Sequence, residues 1–331
     1  MKKDQPMPPS RVRVAAHFRS LLQKPGDPLW VQALPDKEFP GETKPESLQE
    51  PGLDADPFRE DHPFHSPAPH LTWRYPDRAL LLVSDTCPLY CRFCMRKRKT
   101  LEGGSGEGIS AESVALGIEA VAARPAIQEV ILSGGDPLML PDRRLQQTLS
   151  VLSGIKHVRR VRIHSRVPCA LPRRITPDLV KMLGEFPALH LAVHVNHPRE
   201  ITLGAAKALR RLARAGVRLY SQSVLLKGVN VDAKVLAELF AGVTRLGVQP
   251  YYLHHADLIP GTARFRLSLE EGRRVVQTLR QMAPELDMLH YVVDIPGGGG
   301  KIPLEGPLTT GEIDFSHLSS SNSDLRVFHS L

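Results

Sequence analysis

The sequence predicts an α/β fold in which helices cover a parallel sheet. From Leu71 onward, short apolar runs rich in β-forming residues alternate with amphipathic helical stretches. The strand candidates are nearly continuous in apolar residues, which is typical of parallel strands buried on both faces. Residues that favour helix boundaries stand where these helices begin and end: Thr176 before Pro177, and Gly216 and Gly247 after two others.

The predicted strands are Ala79–Ser84, Gln128–Ser133, Val158–His164, Leu189–Val195, Val217–Leu225 and Gln249–His254. The predicted helices are Ala111–Arg124, Arg143–Leu152, Pro177–Glu185, Leu203–Arg214, Ala233–Leu246 and Leu269–Met282, before a last apolar run, His290–Val293. Right-handed crossovers then allow either an open doubly wound sheet or a barrel, and periodicity does not choose between them. In both folds ligands collect at the carboxyl ends of the strands, so we expect the functional site there.

The bulk composition is that of a globular protein with a core, at 42% hydrophobic and 24% charged residues in 331. No run approaches the roughly 18 apolar residues of a membrane helix, and no apolar stretch follows the first residues as in a signal peptide. These features predict a cytoplasmic protein. The net charge of +8 suggests anionic partners without choosing among nucleic acids, phosphate-bearing cofactors and acidic proteins.

Three regions are predicted along the chain. Residues 1–70 are Pro-rich, with a short helix around Val12–Leu22, and are expected to wrap the main domain or a partner, with partial disorder as the alternative. Residues 71–310 form the α/β domain. Residues 311–331, rich in Ser, form a flexible tail.

Three of the four cysteines, Cys87, Cys91 and Cys94, lie together just after the first predicted strand, and Cys169 stands alone. Cysteines this close cannot join distant elements as disulfides. Three thiolates on one loop can bind three irons of a [4Fe–4S] cluster, and the open fourth iron can bind S-adenosylmethionine (SAM). The alternative, structural zinc, usually needs four ligands in two separated pairs.

The segment Tyr90-Cys91-Arg92-Phe93-Cys94-Met95-Arg96 resembles the lysine 2,3-aminomutase family of the radical SAM superfamily, and the similarity extends from about Leu71 to Pro303. The resemblance implies a partial parallel (β/α)6 barrel with a Pro-rich N-terminal extension and a short C-terminal tail. The chain lacks the additional C-terminal cysteines that bind zinc at a subunit interface in longer members, so a homo-oligomer stays open. Its compact length resembles the branch that acts in the β-lysylation of elongation factor P.

A glycine pair ends the second predicted strand, in Leu132-Ser133-Gly134-Gly135-Asp136. Paired glycines let the backbone approach a ligand closely, although an ordinary turn would use them too. The segment resembles the superfamily's glycine motif, which implies that Gly134, Gly135 and Asp136 bind SAM. The resemblance implies the same role for His194 and Gln222.

The run Pro296-Gly297-Gly298-Gly299-Gly300-Lys301 would by itself indicate a flexible linker, but a lysine beyond a strand end can also form a Schiff base with pyridoxal phosphate (PLP). The run closely resembles the PLP-lysine motif of the aminomutases, which implies that Lys301 is the catalytic, cofactor-binding lysine. By the same resemblance Arg74, Arg78 and Arg166 hold the phosphate, for which the planar guanidinium is well suited.

The substrate residues rest on the resemblance as well. It implies that Arg96 binds the substrate carboxylate, although the basic run at 96–99 taken alone would also fit a nucleic-acid patch. Asp257 and Asp294 align with the pair that binds the remote ammonium of lysine. Two neighbouring carboxylates raise each other's pKa unless a cation lies between them, so this pair favours lysine and repels glutamate.

We therefore expect an isomerase that converts L-lysine to β-lysine with a [4Fe–4S] cluster, SAM and PLP, and that receives electrons from a protein such as flavodoxin or ferredoxin. Three alternatives stay open: an aminomutase of the elongation factor P pathway, an RNA-modifying radical SAM enzyme without PLP, and a non-catalytic iron–sulfur electron carrier. Nucleic acid is not the favoured partner.

Overall fold

The structure, a computed structural model, describes residues 12–35, 53–102 and 108–305. Its strands are β1 (Leu71–Tyr75), β2 (Arg78–Ser84), β3 (Glu129–Gly134), β4 (Arg160–Ser165), β5 (Leu189–His194), β6 (Arg218–Leu225), β7 (Val248–His255), β8 (His290–Ile295) and β9 (Gly300–Pro303). Its helices are α1 (Ala16–Arg19), α2 (Pro28–Ala33), α3 (Ala111–Ala122), α4 (Asp142–Ser153), α5 (Val167–Ala170), α6 (Pro177–Gly184), α7 (Leu203–Arg214), α8 (Ala233–Thr244) and α9 (Leu269–Met282).

The nine strands form one sheet in which every strand pairs with its neighbours in sequence. Strands β2 to β8 are parallel, and β1 and β9 pair antiparallel at the two edges. Helices connect successive parallel strands. The predicted partial barrel is confirmed, since six βα units lead to a further parallel strand, β8, at the predicted last apolar run.

The hydrophobic core lies between the strands and the surrounding helices. Leu132 and Val193 of the sheet are fully buried in it, as are Leu209 and Leu212 of α7. The helix boundaries follow from the sequence: the Thr176 side chain accepts a hydrogen bond from the backbone of α6. Gly216 and Gly247, which follow α7 and α8, have positive φ angles of 85° and 81°, a conformation that favours glycine.

The edge strands differ from the prediction. Tyr75 ends β1 and pairs with Arg78, which begins β2, so Arg74 and Arg78 lie on opposite strands next to a tight hairpin turn. At the other edge the glycine run is the turn between β8 and β9, and Lys301 lies within β9 and not on a pliant loop. Short strands such as these escape sequence analysis because neither carries enough alternating residues to be recognised.

The described part of the N-terminal extension packs against the barrel. Phe18 and Leu29 are fully buried in a small cluster with Leu89 of the cysteine loop. The helix predicted over Val12–Leu22 is limited to Ala16–Arg19. The preceding residues stay extended because Val14 forms a β-bridge with Leu89. The predicted tail, 311–331, lies outside the described residues, and no helix of the described chain is long and apolar enough to span a membrane.

Candidate active site

A cavity opens at the carboxyl ends of the parallel strands. Its empty space, including the open mouth, is about 1480 Å³. Every residue that the sequence nominated for the site lines it: Arg74, Arg78, Cys87, Cys91, Cys94, Arg96, Gly134, Gly135, Asp136, Arg166, His194, Gln222, Asp257, Asp294 and Lys301. The structure thus brings the cysteine loop and Lys301 to one chamber, although 207 to 214 residues of sequence separate Lys301 from the three cysteines.

The three cysteines of the loop after β2 are partly exposed, whereas Cys169 is buried in the hydrophobic core. Burial, together with the neighbouring Cys91, raises the pKa of Cys94 to about 11. No group of three His, Cys, Asp or Glu side chains in the described ranges is close enough to hold a single metal ion. A four-iron cluster makes a different demand, because each thiolate then binds its own iron.

Arg166 lies beside the cysteines. Its Nη1 donates to the sulfur of Cys91 at 2.8 Å, and its Nη2 donates to Gln32 at 2.6 Å and to Glu200 at 3.0 Å. Gln32 belongs to α2, so the N-terminal extension braces this cation. The expected phosphate contact of Arg166 finds no support in this geometry, because two nitrogens of its guanidinium are already engaged at the cysteine end of the cavity. The arrangement favours compensation of thiolate charge instead.

The glycine pair after β3 lies against the backbone that leads into the cysteine loop. A Cβ at Gly134 would meet the carbonyl oxygen of Ser84 at 2.2 Å, and the φ of Gly134 is +115°. A Cβ at Gly135 would meet the backbone nitrogen of Thr86 at 2.5 Å. Only glycine fits this close approach, so the pair fixes the position of the loop as well as the floor of the cavity.

Asp136 is buried and fully hydrogen-bonded. It accepts from Ser165 Oγ at 2.8 Å, from the backbone of Arg166 at 2.7 Å, and from the backbone of Leu138 and Val167. Burial raises its pKa to about 6 even though these bonds favour the ionised form. The bonds tie the end of β3 to the end of β4, which favours a structural role for Asp136 over the expected direct contact with SAM.

Two histidines and a glutamine line the middle of the cavity. His194 ends β5 with its ring centroid 5.6 Å from that of His164, and the Nε2 atoms of both are buried without a hydrogen-bond partner among the described residues. Burial, together with the charge of Arg166, lowers the pKa of His194 to about 3, so the ring is neutral at pH 7. Gln222 Nε2 lies 3.0 Å from His254 Nε2. Such neutral polar groups suit a polar ligand.

Lys301 and Asp294 form the ion pair at the other side of the cavity. Lys301 Nζ lies 2.9 Å and 3.1 Å from the two carboxylate oxygens of Asp294, because the two residues are partners across the β8–β9 hairpin. Burial lowers the pKa of Lys301, but the charge of Asp294 outweighs it and the net shift is upward. The pKa of Asp294 is lowered: burial raises it, and Lys301, His254 and Arg74 more than compensate.

Arg74 and Tyr75 of β1 face this pair across the gap between the edge strands. Arg74 Nη2 lies 3.6 Å from Asp294, yet its Nε and Nη2 and the hydroxyl of Tyr75 are buried without hydrogen-bond partners in the described chain. Arg78 is bound to Asp77 through two nitrogens, at 2.9 and 3.1 Å, and lies over the Tyr75 ring. Buried donors of this kind are rare in a folded protein and fit an anionic ligand that would complete them.

Asp257 follows β7 and lies near the Lys301–Asp294 pair. Burial and the charge of Asp294 raise its pKa to about 7. Its Oδ1 is buried and has no partner within the described ranges. A second carboxylate beside Asp294, still lacking a hydrogen-bond donor, can accept an ammonium group.

Glu60, in the segment before β1, was not foreseen. It is 2% exposed, and its Oε1 accepts from Arg96 Nη2 at 2.7 Å. Its neighbours Asp56 and Asp61 pair with Arg98 and Lys99. The basic run 96–99 is therefore bound to acidic residues of the extension, with side-chain exposures of 16–17% for three of its members, and does not form the exposed surface that an RNA-binding patch needs.

The other residues that sequence analysis missed are Tyr75, His164 and His254. His164 and His254 lie near the ends of strands, as His194 does, so their positions carried a usable signal. His254 Nδ1 is 3.7 Å from Asp294. Nothing local marks Glu60, whose partner Arg96 lies 36 residues away in the chain.

Comparisons with known proteins agree with this geometry. A family model described as the Radical SAM superfamily matches residues 81–240. The L-lysine 2,3-aminomutase of Clostridium subterminale is 40% identical over 297 residues, which cover 89% of this chain and 68% of that protein. The L-lysine 2,3-aminomutase of Fusobacterium nucleatum is 39% identical over 296 residues, covering 89% and 67%. The glutamate 2,3-aminomutase of Clostridioides difficile is 36% identical over 259 residues, covering 78% and 60%.

Proposed function

The chain belongs to the lysine 2,3-aminomutase family of radical SAM enzymes, and from this premise we propose that it converts free L-lysine to β-lysine with the help of PLP. It is an isomerase of the radical SAM aminomutase type. The observation that carries the proposal is that Cys87, Cys91, Cys94 and Lys301 line one cavity. The cysteines, which would hold the cluster, and Lys301, which would hold PLP, thus border one space from which solvent can be excluded.

The residues present fit the three groups that the proposal requires. Three thiols on one loop supply cluster ligands, neutral His194 and Gln222 supply polar contacts for SAM, and Lys301 supplies the amine for PLP. When bound, the cluster and SAM supply a carbon radical that removes hydrogen, and PLP carries the amino group as it migrates.

Lys301 must lose a proton before its nitrogen can attack a carbonyl carbon. Asp294, 2.9 Å away, holds that proton at neutral pH through its charge. An incoming lysine ε-ammonium can replace the Lys301 ammonium at the same carboxylate. Asp294 is then paired with an ammonium group whether Lys301 is free or bound to PLP.

Arg74 and Tyr75 are suited to the phosphate of the cofactor. Both carry buried polar atoms without hydrogen-bond partners in the described residues, and a phosphate has oxygens for each. Arg78 lies beside them at the start of β2. We propose these residues as the phosphate site, without Arg166.

Lysine is the substrate that the charges favour. Arg96 would bind the α-carboxylate, and Asp257 with Asp294 would bind the ε-ammonium. A glutamate side chain would bring a third carboxylate to that pair, at a cost that no cation of the substrate offsets. This preference for lysine over glutamate can be tested directly.

The test uses the full chain, reconstituted without oxygen with iron, sulfide and PLP, and reduced by dithionite in the presence of SAM. L-lysine and L-glutamate are supplied separately, and the products are separated by chromatography. We expect β-lysine and no β-glutamate. A Lys301→Ala variant should retain iron and SAM binding but produce no β-lysine.

Formation of β-glutamate would overturn the assignment of lysine as the substrate. Formation of 5′-deoxyadenosine without an amino acid product would show that neither lysine nor glutamate is the substrate. Replacement of dithionite by reduced flavodoxin or ferredoxin tests the proposed electron donor. Turnover with either protein would support that partner, whereas turnover with dithionite but with neither protein would contradict it.

A further inference from the structure

We propose that Glu60 is a positioning residue that holds Arg96 for the substrate carboxylate and so sets the enzyme's preference for carboxylate-bearing diamines. The inference rests on the proposed function, in which Arg96 binds that carboxylate. Glu60 itself belongs to the segment before β1, ahead of the barrel strands.

The contact is short and buried. Glu60 Oε1 lies 2.7 Å from Arg96 Nη2, and Glu60 Oε2 lies 3.7 Å from Lys99 Nζ. Burial raises the pKa of Glu60, but Arg96 and Lys99 outweigh it and lower the pKa to about 2. The carboxylate is therefore ionised at every pH at which the enzyme would work, and its bond to Arg96 is charge-assisted.

Glu60 engages only part of the guanidinium. Arg96 Nε is buried and has no hydrogen-bond partner in the described ranges, although the residue lines the cavity. A guanidinium is a rigid planar fork, so fixing one nitrogen fixes the plane of the others. Glu60 thereby orients the fork and leaves donor capacity for a second oxyanion.

The other carboxylates explain why such a holder is needed. Asp294 and Asp257 both interact electrostatically with Arg96 across the cavity. Without Glu60, Arg96 would be a buried cation with no adjacent carboxylate to fix its guanidinium toward the substrate carboxylate. Glu60 holds the positive charge of Arg96 at the end of the cavity proposed for the substrate carboxylate. That end then stays separate from the carboxylate pair proposed for the substrate ammonium.

Glu60 is itself held from two sides. Its backbone nitrogen donates to Asp56 Oδ1 at 2.9 Å, and Asp56 pairs with Arg98 at 2.6 Å. On the other side, Gly297 in the turn before Lys301 donates its N–H to the carbonyl of Pro57 at 2.6 Å. The segment around Glu60 is therefore bound both to the basic run 96–99 and to the β8–β9 hairpin that carries Lys301. The Glu60 carboxylate thus has a defined position before substrate binds.

The test compares two ligands that differ in one group. Calorimetry on the full, PLP-reconstituted chain would measure binding of L-lysine and of 1,5-diaminopentane, which is lysine without its carboxylate. Glu60→Gln should weaken L-lysine binding about tenfold, as expected for the loss of one coupled charge pair, and leave 1,5-diaminopentane within about twofold. In turnover, KM for lysine should rise more than kcat falls.

Asp61→Asn is the matched control. The substitution removes the same charge from the residue next to Glu60. The Asp61 side chain, however, is 58% exposed and pairs with Arg98 and Lys99. It should change neither affinity. In an Arg96→Gln background, Glu60→Gln should have no further effect on lysine binding, because it acts through Arg96. If Glu60→Gln lowers the melting temperature too far for calorimetry, Glu60→Asp, which keeps the charge, should retain part of the preference for lysine.

The outcomes separate this inference from the proposed function. Equal weakening of both ligands by Glu60→Gln, or no change in either, would overturn the positioning role while leaving a lysine-selective parent enzyme intact. If the parent chain itself bound 1,5-diaminopentane as tightly as L-lysine, the role of Arg96 in the proposed function would fail first.

Discussion

Lys301 Nζ lies 2.9 Å from one carboxylate oxygen of Asp294 and 3.1 Å from the other, and the two residues are direct partners in the β8–β9 hairpin. Directly opposite positions on one face of an antiparallel pair bring side chains into contact. The backbone thus holds an ammonium against a buried carboxylate. That relationship makes the reactivity of Lys301 depend on Asp294.

Asp294→Asn should shift the capture of PLP to lower pH. The substitution removes the charge that raises the pKa of Lys301 and leaves burial, which lowers it. The neutral amine then forms at lower pH, so we expect the midpoint of Schiff-base formation to fall by at least about one pH unit. Absorbance near about 420 nm as a function of pH measures it. Asp287→Asn, at an exposed position, is the control, and an unchanged midpoint in Asp294→Asn would contradict the prediction.

Lysine affinity should increase as the pH rises from about 6 to 8, because burial and Asp294 raise the pKa of Asp257 to about 7. Below that pKa the side chain is neutral and binds an ammonium weakly, and above it the side chain is anionic. We expect a gain of about tenfold across this range. Binding measured at several pH values checks it, and Asp257→Asn should flatten the curve. A parent protein whose affinity is flat over the same range would show that Asp257 does not titrate there.

Replacement of any one of Cys87, Cys91 or Cys94 by Ala should abolish the cluster, since a three-thiolate site cannot lose a ligand and keep three irons bound. Iron and sulfide content and the electron paramagnetic resonance signal of the reduced protein measure the loss. Cys169→Ala is the control, because Cys169 is buried in the core. It should keep the full iron content, and a loss equal to that of the loop variants would refute the assignment.

Gly134→Ala should destabilise the fold and weaken SAM binding. The added Cβ would lie 2.2 Å from the Ser84 carbonyl at a φ of +115°, a backbone strain that costs about 1–3 kcal/mol before the clash is counted. Thermal unfolding and SAM titration measure both effects. Gly299→Ala is matched to it, since its φ is −67° and its nearest contacts are ordinary, at 3.5 Å or more. Comparable losses in the two variants would rule out this explanation.

Much of this architecture could be predicted because its signals are local. The parallel strands show themselves as apolar runs, and the cysteine spacing itself indicates a metal site. Thr176, Gly216 and Gly247 mark helix ends through conformational preferences that act within a few residues. Because ligands in parallel α/β folds bind at the carboxyl ends of the strands, motifs at those ends could be predicted to share one cavity.

The rest depends on pairs that are distant in sequence. Glu60 meets Arg96 only because the segment before β1 folds against the cavity, and no sequence motif indicates that path. Arg166 likewise takes its role from Gln32, which lies 134 residues away. The role of a buried charged residue depends on the residues that contact it in the fold, and these need not be its neighbours in the chain.

The barrel has a seam. Strands β1 and β9 end the sheet on opposite sides, and Arg74 of β1 reaches across to Asp294 of β8. A ligand bound to Lys301 of β9 and to Arg74 of β1 would join the two edges of the sheet. Ligand binding would then raise the free energy of unfolding of the whole barrel. The backbone amides of the two edge strands would exchange more slowly with solvent when the ligand is bound.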